Sequence, residues 1–135
     1  MAAIAWFCQL VQYPMLRSSE PEHLPEAARQ HARRITPLVI PVMLAELAVC
    51  IRLLAAPPRG VRRRDKNVSA GLLTGIWLST LAVQARQHAK LQERHDPRVL
   101  RALVRGNLPR TIAWTLRVVL AVSMLRDATA NPGRP

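Results

Sequence analysis

NVSAGLLTGIWLSTLAVQA, Asn67 to Ala85, runs for nineteen residues without a charge and passes directly into Arg86, His88 and Lys90. At a helical rise of about 1.5 Å per residue, a stretch of this length covers nearly all of a bilayer core of about 30 Å. The chain has 135 residues, enough for one domain, and carries a net charge of +12 with a mean hydropathy of only +0.05. That average hides a segregation. Residues 1–16, 35–45, 67–85, 111–116 and 118–125 hold no charged side chain, and most of the 20 Lys and Arg lie between these stretches. A soluble helix spreads its charges along one face. Apolar blocks joined by basic connections are the pattern of a membrane chain.

Working outward, residues 36–56, TPLVIPVMLAELAVCIRLLAA, read as a second span. Pro37 and Pro41 bend its first turns, which a membrane helix tolerates when neighbours satisfy the freed carbonyls. Residues 2–16 form a short first span whose end is loosened by Pro14. A fourth span follows Asn107, with Pro109 in its first turn. The fold expected is all-α: a four-transmembrane-helix bundle with short amphipathic interfacial helices. Those interfacial helices are placed at 17–35, capped by Ser18 or Ser19, and between Asp96-Pro97 and a stop at Gly106. On the second, Arg94, Arg98, Arg101 and Arg105 lie on one side, and Val99, Leu100 and Leu103 on the other, facing lipid. Pro57-Pro58 and Gly60 end the second span. The single domain is placed at residues 1–128, with a disordered tail at 129–135 by composition.

Four spans put both termini on one side. The connection there, residues 57–66, carries five Lys and Arg, while the two opposite connections together carry eleven. The short turn is the denser cluster and the opposite side holds the larger count, so charge leaves orientation open. Cys8 and Cys50 lie inside apolar stretches and read as buried thiols. No zinc spacing, Walker loop, GxGxxG, HExxH or GxSxG is present. The start lacks the basic region of a cleavable signal.

Ionisable and amide side chains in hydrocarbon face the bundle interior or a wet cavity. Each span supplies one: Gln9, Glu46, Gln84 and Arg117. Glu46 and Arg117 fall at similar depths and are expected to pair. Tyr13, His31, His88, Asn107 and Arg110 gather at the opposite mouth from the termini, and Trp114 shares the face of Arg110 and Arg117. The implied shape is a polar funnel ending at a Glu46–Arg117 pair. A registry role, fixing which helix packs on which, is the plain reading of such a pair. A site for a small ligand, lipid headgroup or quinone is the functional one. His31 and His88 at one membrane face also admit haem or metal ligation, and Trp6, Trp77 and Trp114 serve as interface anchors, packing or pocket wall. His23 and His95 read as solvated.

WFCQLVQYP, HARRITPLVIPVMLAEL, IWLSTLAVQARQH and NLPRTIAWTLR, spread over residues 5–126, resemble a family of small, uncharacterised bacterial four-helix integral membrane proteins. The resemblance implies that fold, and implies Gln9, Tyr13, His31, Glu46, Gln84, His88, Asn107, Arg110 and Trp114 as the matching polar positions. This chain departs in a shorter first helix, in Ala28 where members often have a histidine, and in Leu108 where they often have tryptophan. The missing histidine weakens a metal or haem reading. No cofactor is fixed by the sequence. The expected partners are anionic lipid headgroups at the basic connections and a second copy or another membrane protein. The cell membrane is the expected location, in multi-pass form. Nucleic acid is disfavoured because few aromatics lie among the basic residues to stack on bases.

Overall fold

The computed structural model describes residues 1–130, which leaves most of the tail expected at 129–135 outside the described residues. The described chain is entirely helical and turn, arranged as four rods. The first rod joins α1 (Ala2–Phe7), a π-helical turn at Cys8–Gln12 and α2 (Tyr13–Arg17). The second is α3 (Leu24–Ala55). The third joins α4 (Arg63–Ser79), a π-helical turn at Thr80–Gln84 and α5 (Ala85–Glu93). The fourth is α6 (Pro97–Ala130).

Three helices are long and apolar enough to cross a membrane: Leu24–Ala55, Arg63–Glu93 and Pro97–Ala130. The first rod is shorter. Only 11–22% of the most apolar stretch of each long helix is buried against the rest of the chain. Leu38, Leu44 and Ile51 of α3, and Leu116, Val119 and Leu125 of α6, all point outward. So extensive an apolar belt is foreign to a soluble monomer and consistent with a membrane protein.

The rods alternate in direction. Trp6 Nε1 donates to Thr115 Oγ1 at 3.0 Å and Asn107 Nδ2 to Gln9 Oε1 at 2.8 Å, so the first rod runs antiparallel to α6. His31 lies 3.1 Å from Gln12 Oε1, and the Met1 amino group 3.7 Å from Glu46 Oε1, so it is also antiparallel to α3. Arg117 meets Ser69, and Gln84 meets Gly106, so the third rod and α6 are antiparallel too. The interior divides into two packed clusters. One, around Tyr13, Leu24, Leu91 and Leu103, sits at the end of the bundle that carries residues 18–23 and 94–96. The other, around Met43, Leu73, Ile76 and Trp114, lies toward the opposite end.

Three sequence expectations are corrected. No separate interfacial helices form: residues 24–35 continue into α3, and residues 97–106 continue into α6. α3 runs on through Pro37 and Pro41, both of which lie on its exposed face. Gly106 is not a stop. Among the described residues the positive-φ glycine is Gly60 (φ 82), in the turn after α3, whereas Gly106 keeps helical backbone. Ser18 and Ser19 do not cap α3. Their hydroxyls donate to Met15 O at 2.9 and 3.2 Å and close the end of α2 instead. The Asp96-Pro97 start behaves as expected: Asp96 Oδ1 accepts from the N–H groups of Arg98 and Val99 at 2.9 and 3.2 Å.

Candidate binding cavity

A cavity of about 430 Å³ lies where the two clusters meet. This is within the usual size of a small-molecule site, about 300–1,000 Å³. α3 contributes a helical column, His31, Ile35, Val39 and Met43, spaced at four residues and therefore on one face. The third rod contributes Trp77, Thr80, Leu81, Gln84 and His88, and α6 contributes Asn107, Arg110 and Trp114. The first rod closes it with Ala5, Cys8 and Tyr13. Both π-helical turns reach this wall, through Cys8 and through Thr80, Leu81 and Gln84. A π turn rotates the residues beyond it relative to an uninterrupted α-helix, and such turns are frequent at functional sites. Here the turn before Tyr13 and the turn at Gln84 set the faces on which Tyr13 and His88 meet His31.

At one end the walls are polar. His31 and His88 have ring centroids 5.9 Å apart and nearly parallel, and Tyr13 lies 6.2 and 6.4 Å from them. Asn107 gives its amide hydrogens to Gln9 and Thr111, while its Oδ1 accepts from Arg110 Nη1 at 3.2 Å. Toward the other end the walls are Val39, Ile40, Met43 and Ile4. Thr36, Ile40, Leu81 and Ala85 line the cavity yet are exposed on the outside of the bundle. The cavity therefore opens sideways between α3 and the third rod, through the apolar belt.

Gln84 is 2% exposed and Trp114 1%, yet both Gln84 amide atoms and Trp114 Nε1 lack a hydrogen-bond partner. Trp77 Nε1 and Arg110 Nε are buried and unpartnered as well. Buried polar atoms are nearly always paired, and leaving one unpaired costs about 1–3 kcal/mol. Four side chains with orphaned atoms on one cavity wall mark a place where hydrogen bonds are left for a bound molecule. Gly106 makes the arrangement possible. A Cβ there would lie 2.9 Å from Gln84 Nε2, so the amide rests where only a glycine leaves room.

The expected Glu46–Arg117 pair forms. Arg117 Nη2 donates to Glu46 Oε2 at 2.9 Å. Its Nη1 donates to Ser69 O and, at 2.9 Å, to Ser69 Oγ. Its guanidinium lies 5.6 Å over the Trp114 ring. The pair does not end the funnel, however: neither Glu46 nor Arg117 lines the cavity, and Gln9 stands behind Asn107 rather than in the wall. Of the ten candidates, Tyr13, His31, Gln84, His88, Asn107, Arg110 and Trp114 share the cavity, and Gln9, Glu46 and Arg117 stay outside it. The sequence carries no sign of Gly106 as a packing position, nor of Cys8 and Thr80 as wall. It offered Trp77 only as one option. The signal for it lies in the spacing of Trp77, Leu81, Gln84 and His88, i, i+4, i+7 and i+11, which puts all four on one helical face.

Among the described residues no group of three or more His, Cys, Asp or Glu side chains is placed to hold a metal ion. Metal ligation would rest on His31 and His88 alone. No protein-family model, curated protein or solved structure matches this chain.

Proposed function

We propose that this chain is a multi-pass protein of the cell membrane, belonging to the small four-helix family its motifs resemble. In this reading α3, the third rod and α6 span the bilayer, and the shorter first rod completes a four-helix bundle. It acts as a binding or accessory protein that holds a small membrane-soluble molecule, and the basic ends of the bundle meet anionic headgroups. The observation that carries the reading is the pair of deeply buried, unpartnered side chains, Gln84 and Trp114, at a cavity that opens toward lipid. The experiment is purification in mild detergent followed by mass spectrometry of the organic extract. A discrete small molecule near one per protein is expected. Bulk lipid alone would sink the reading and leave the polar groups as helix-packing elements.

A second reading, a membrane oxidoreductase or a haem or quinone carrier, is favoured by one observation: the His31, His88 and Tyr13 rings stand together at the cavity's polar end. It requires a chromophore in the purified protein that His31→Ala and His88→Ala remove. A colourless preparation rejects the haem form.

A further inference from the structure

Among the described residues Arg110 is the one Lys or Arg side chain on the cavity wall, the Met1 amino group at the far end already has Glu46, and no Asp or Glu lines that wall. Its Nη1 is held by the neutral amide of Asn107, its Nε is buried without a partner, and it forms no ion pair among the described residues. This contrasts with Arg117, two turns further along α6, which has both a carboxylate and a serine. A charge drawn out of water is normally paired, so Arg110 lacks the counterion its setting on the cavity wall calls for. The other orphaned atoms on this wall are three donors and one acceptor. Trp77 and Trp114 indoles only donate, and Gln84 offers Nε2 as well as Oε1. Gln84 lies against Gly106, one turn before Arg110 and two before Trp114, so these groups fall within about 12 Å along α6. Beyond them the wall is aliphatic, and the opening faces the apolar belt.

We infer that the cavity binds a single-chain amphiphile carrying a small, singly charged oxyanion headgroup, a fatty carboxylate being the simplest, with Arg110 as its counterion. The inference rests on the ligand-binding reading above and names the ligand class. The molecule enters sideways between Ile40 and Leu81. Its oxyanion accepts from Arg110 and from the free amide hydrogens of Gln84. Its chain lies along Val39, Ile40 and Met43, beneath the two indoles.

The two wall tryptophans supply the readout. In protein carrying Trp6→Phe, which silences the tryptophan on the bundle's outer surface, fluorescence is titrated with a dibrominated stearic acid and, separately, with its methyl ester. The titrations are run in mild detergent at about pH 8, where the carboxylate is ionised. The acid is expected to quench saturably at a concentration about tenfold or more below the ester, the factor a charge-assisted hydrogen bond supplies. Arg110→Gln is expected to erase that preference and Arg110→Lys to retain part of it. The lysine variant keeps the comparison decisive if the glutamine variant fails to fold. Equal quenching by acid and ester in the parent protein overturns the anionic class while leaving the cavity as a binding site. If neither probe quenches more than in a Trp77→Phe, Trp114→Phe control that keeps Trp6 as its fluorophore, the cavity admits no amphiphile and the ligand-binding reading falls with the inference.

Discussion

Arg117 is 8% exposed and gives its two terminal nitrogens to Glu46 and Ser69, so removing the Glu46 carboxylate strands a guanidinium inside the bundle. Breaking a buried pair by deleting one partner costs about 3–5 kcal/mol. Glu46 is itself a third exposed, and glutamine keeps an acceptor, so Glu46→Gln should cost about 2–3 kcal/mol. Denaturation in detergent measures it, and an unchanged midpoint would show that the pair holds nothing together. A second residue-scale expectation concerns Asp96. Its carboxyl is held below the ordinary carboxylate range, first by the Val99 N–H and then by the Arg98 N–H, at the start of α6. The folded value is depressed, so the stabilisation is fully present above the unfolded value of about 3.9 and disappears as the pH falls through the folded one. Protection of the amides of residues 98–100, taken relative to the intrinsic exchange rate at each pH, should therefore be flat from neutral pH down to about pH 5 and fall only in stronger acid. Asp96→Asn, which caps without a charge, should abolish the pH dependence while keeping the protection.

At the scale of elements, glycine and proline were the misleading letters. Gly106 before Asn107 and Pro109 has the look of a helix stop and a new start, because glycine commonly ends helices and proline commonly opens them. α6 nevertheless runs through all three residues. The glycine serves the neighbouring rod, whose Gln84 occupies the place of its missing Cβ, and Asn107 turns its side chain across to Gln9 rather than to its own backbone. Gly106→Ala tests this. Alanine favours the helix by up to about 1 kcal/mol over glycine, and the colliding atom is the free end of a flexible chain. Stability should hold or rise slightly, while occupancy of the cavity falls because the Gln84 amide is displaced. A large loss of stability with unchanged occupancy would mean that Gly106 matters only for packing. The two π-helical turns had no sequence signal of this kind. Nothing in CQLVQ or TLAVQ distinguishes them from α-helix, and what they accomplish is visible only where both meet the cavity.

At the scale of the whole molecule, the belt of outward leucine, isoleucine and valine on three long helices leads to a simple expectation. The protein should remain in the membrane pellet through alkaline carbonate and leave it only with detergent. Release by carbonate would require some other cover for that belt and would remove the basis for a bilayer-facing cavity mouth.

The sequence by itself determined the helical class, the uncharged stretches that become three membrane-length helices, and the presence of polar side chains that hydrocarbon would not tolerate alone. These come from spacing and charge along a single chain, where the physics is local. It also paired Glu46 with Arg117, because helical rise alone converts position into depth. The tertiary structure decided which polar residues face one another. Tyr13, His31, His88, Gln84, Arg110 and Trp114 share a wall, whereas Gln9, Glu46 and Arg117 do not. That division depends on the rotation of each rod about its own axis. Rotation is set by π turns, by the close approach of Gln84 to Gly106, and by packing among four helices at once, and none of these is written in any one segment.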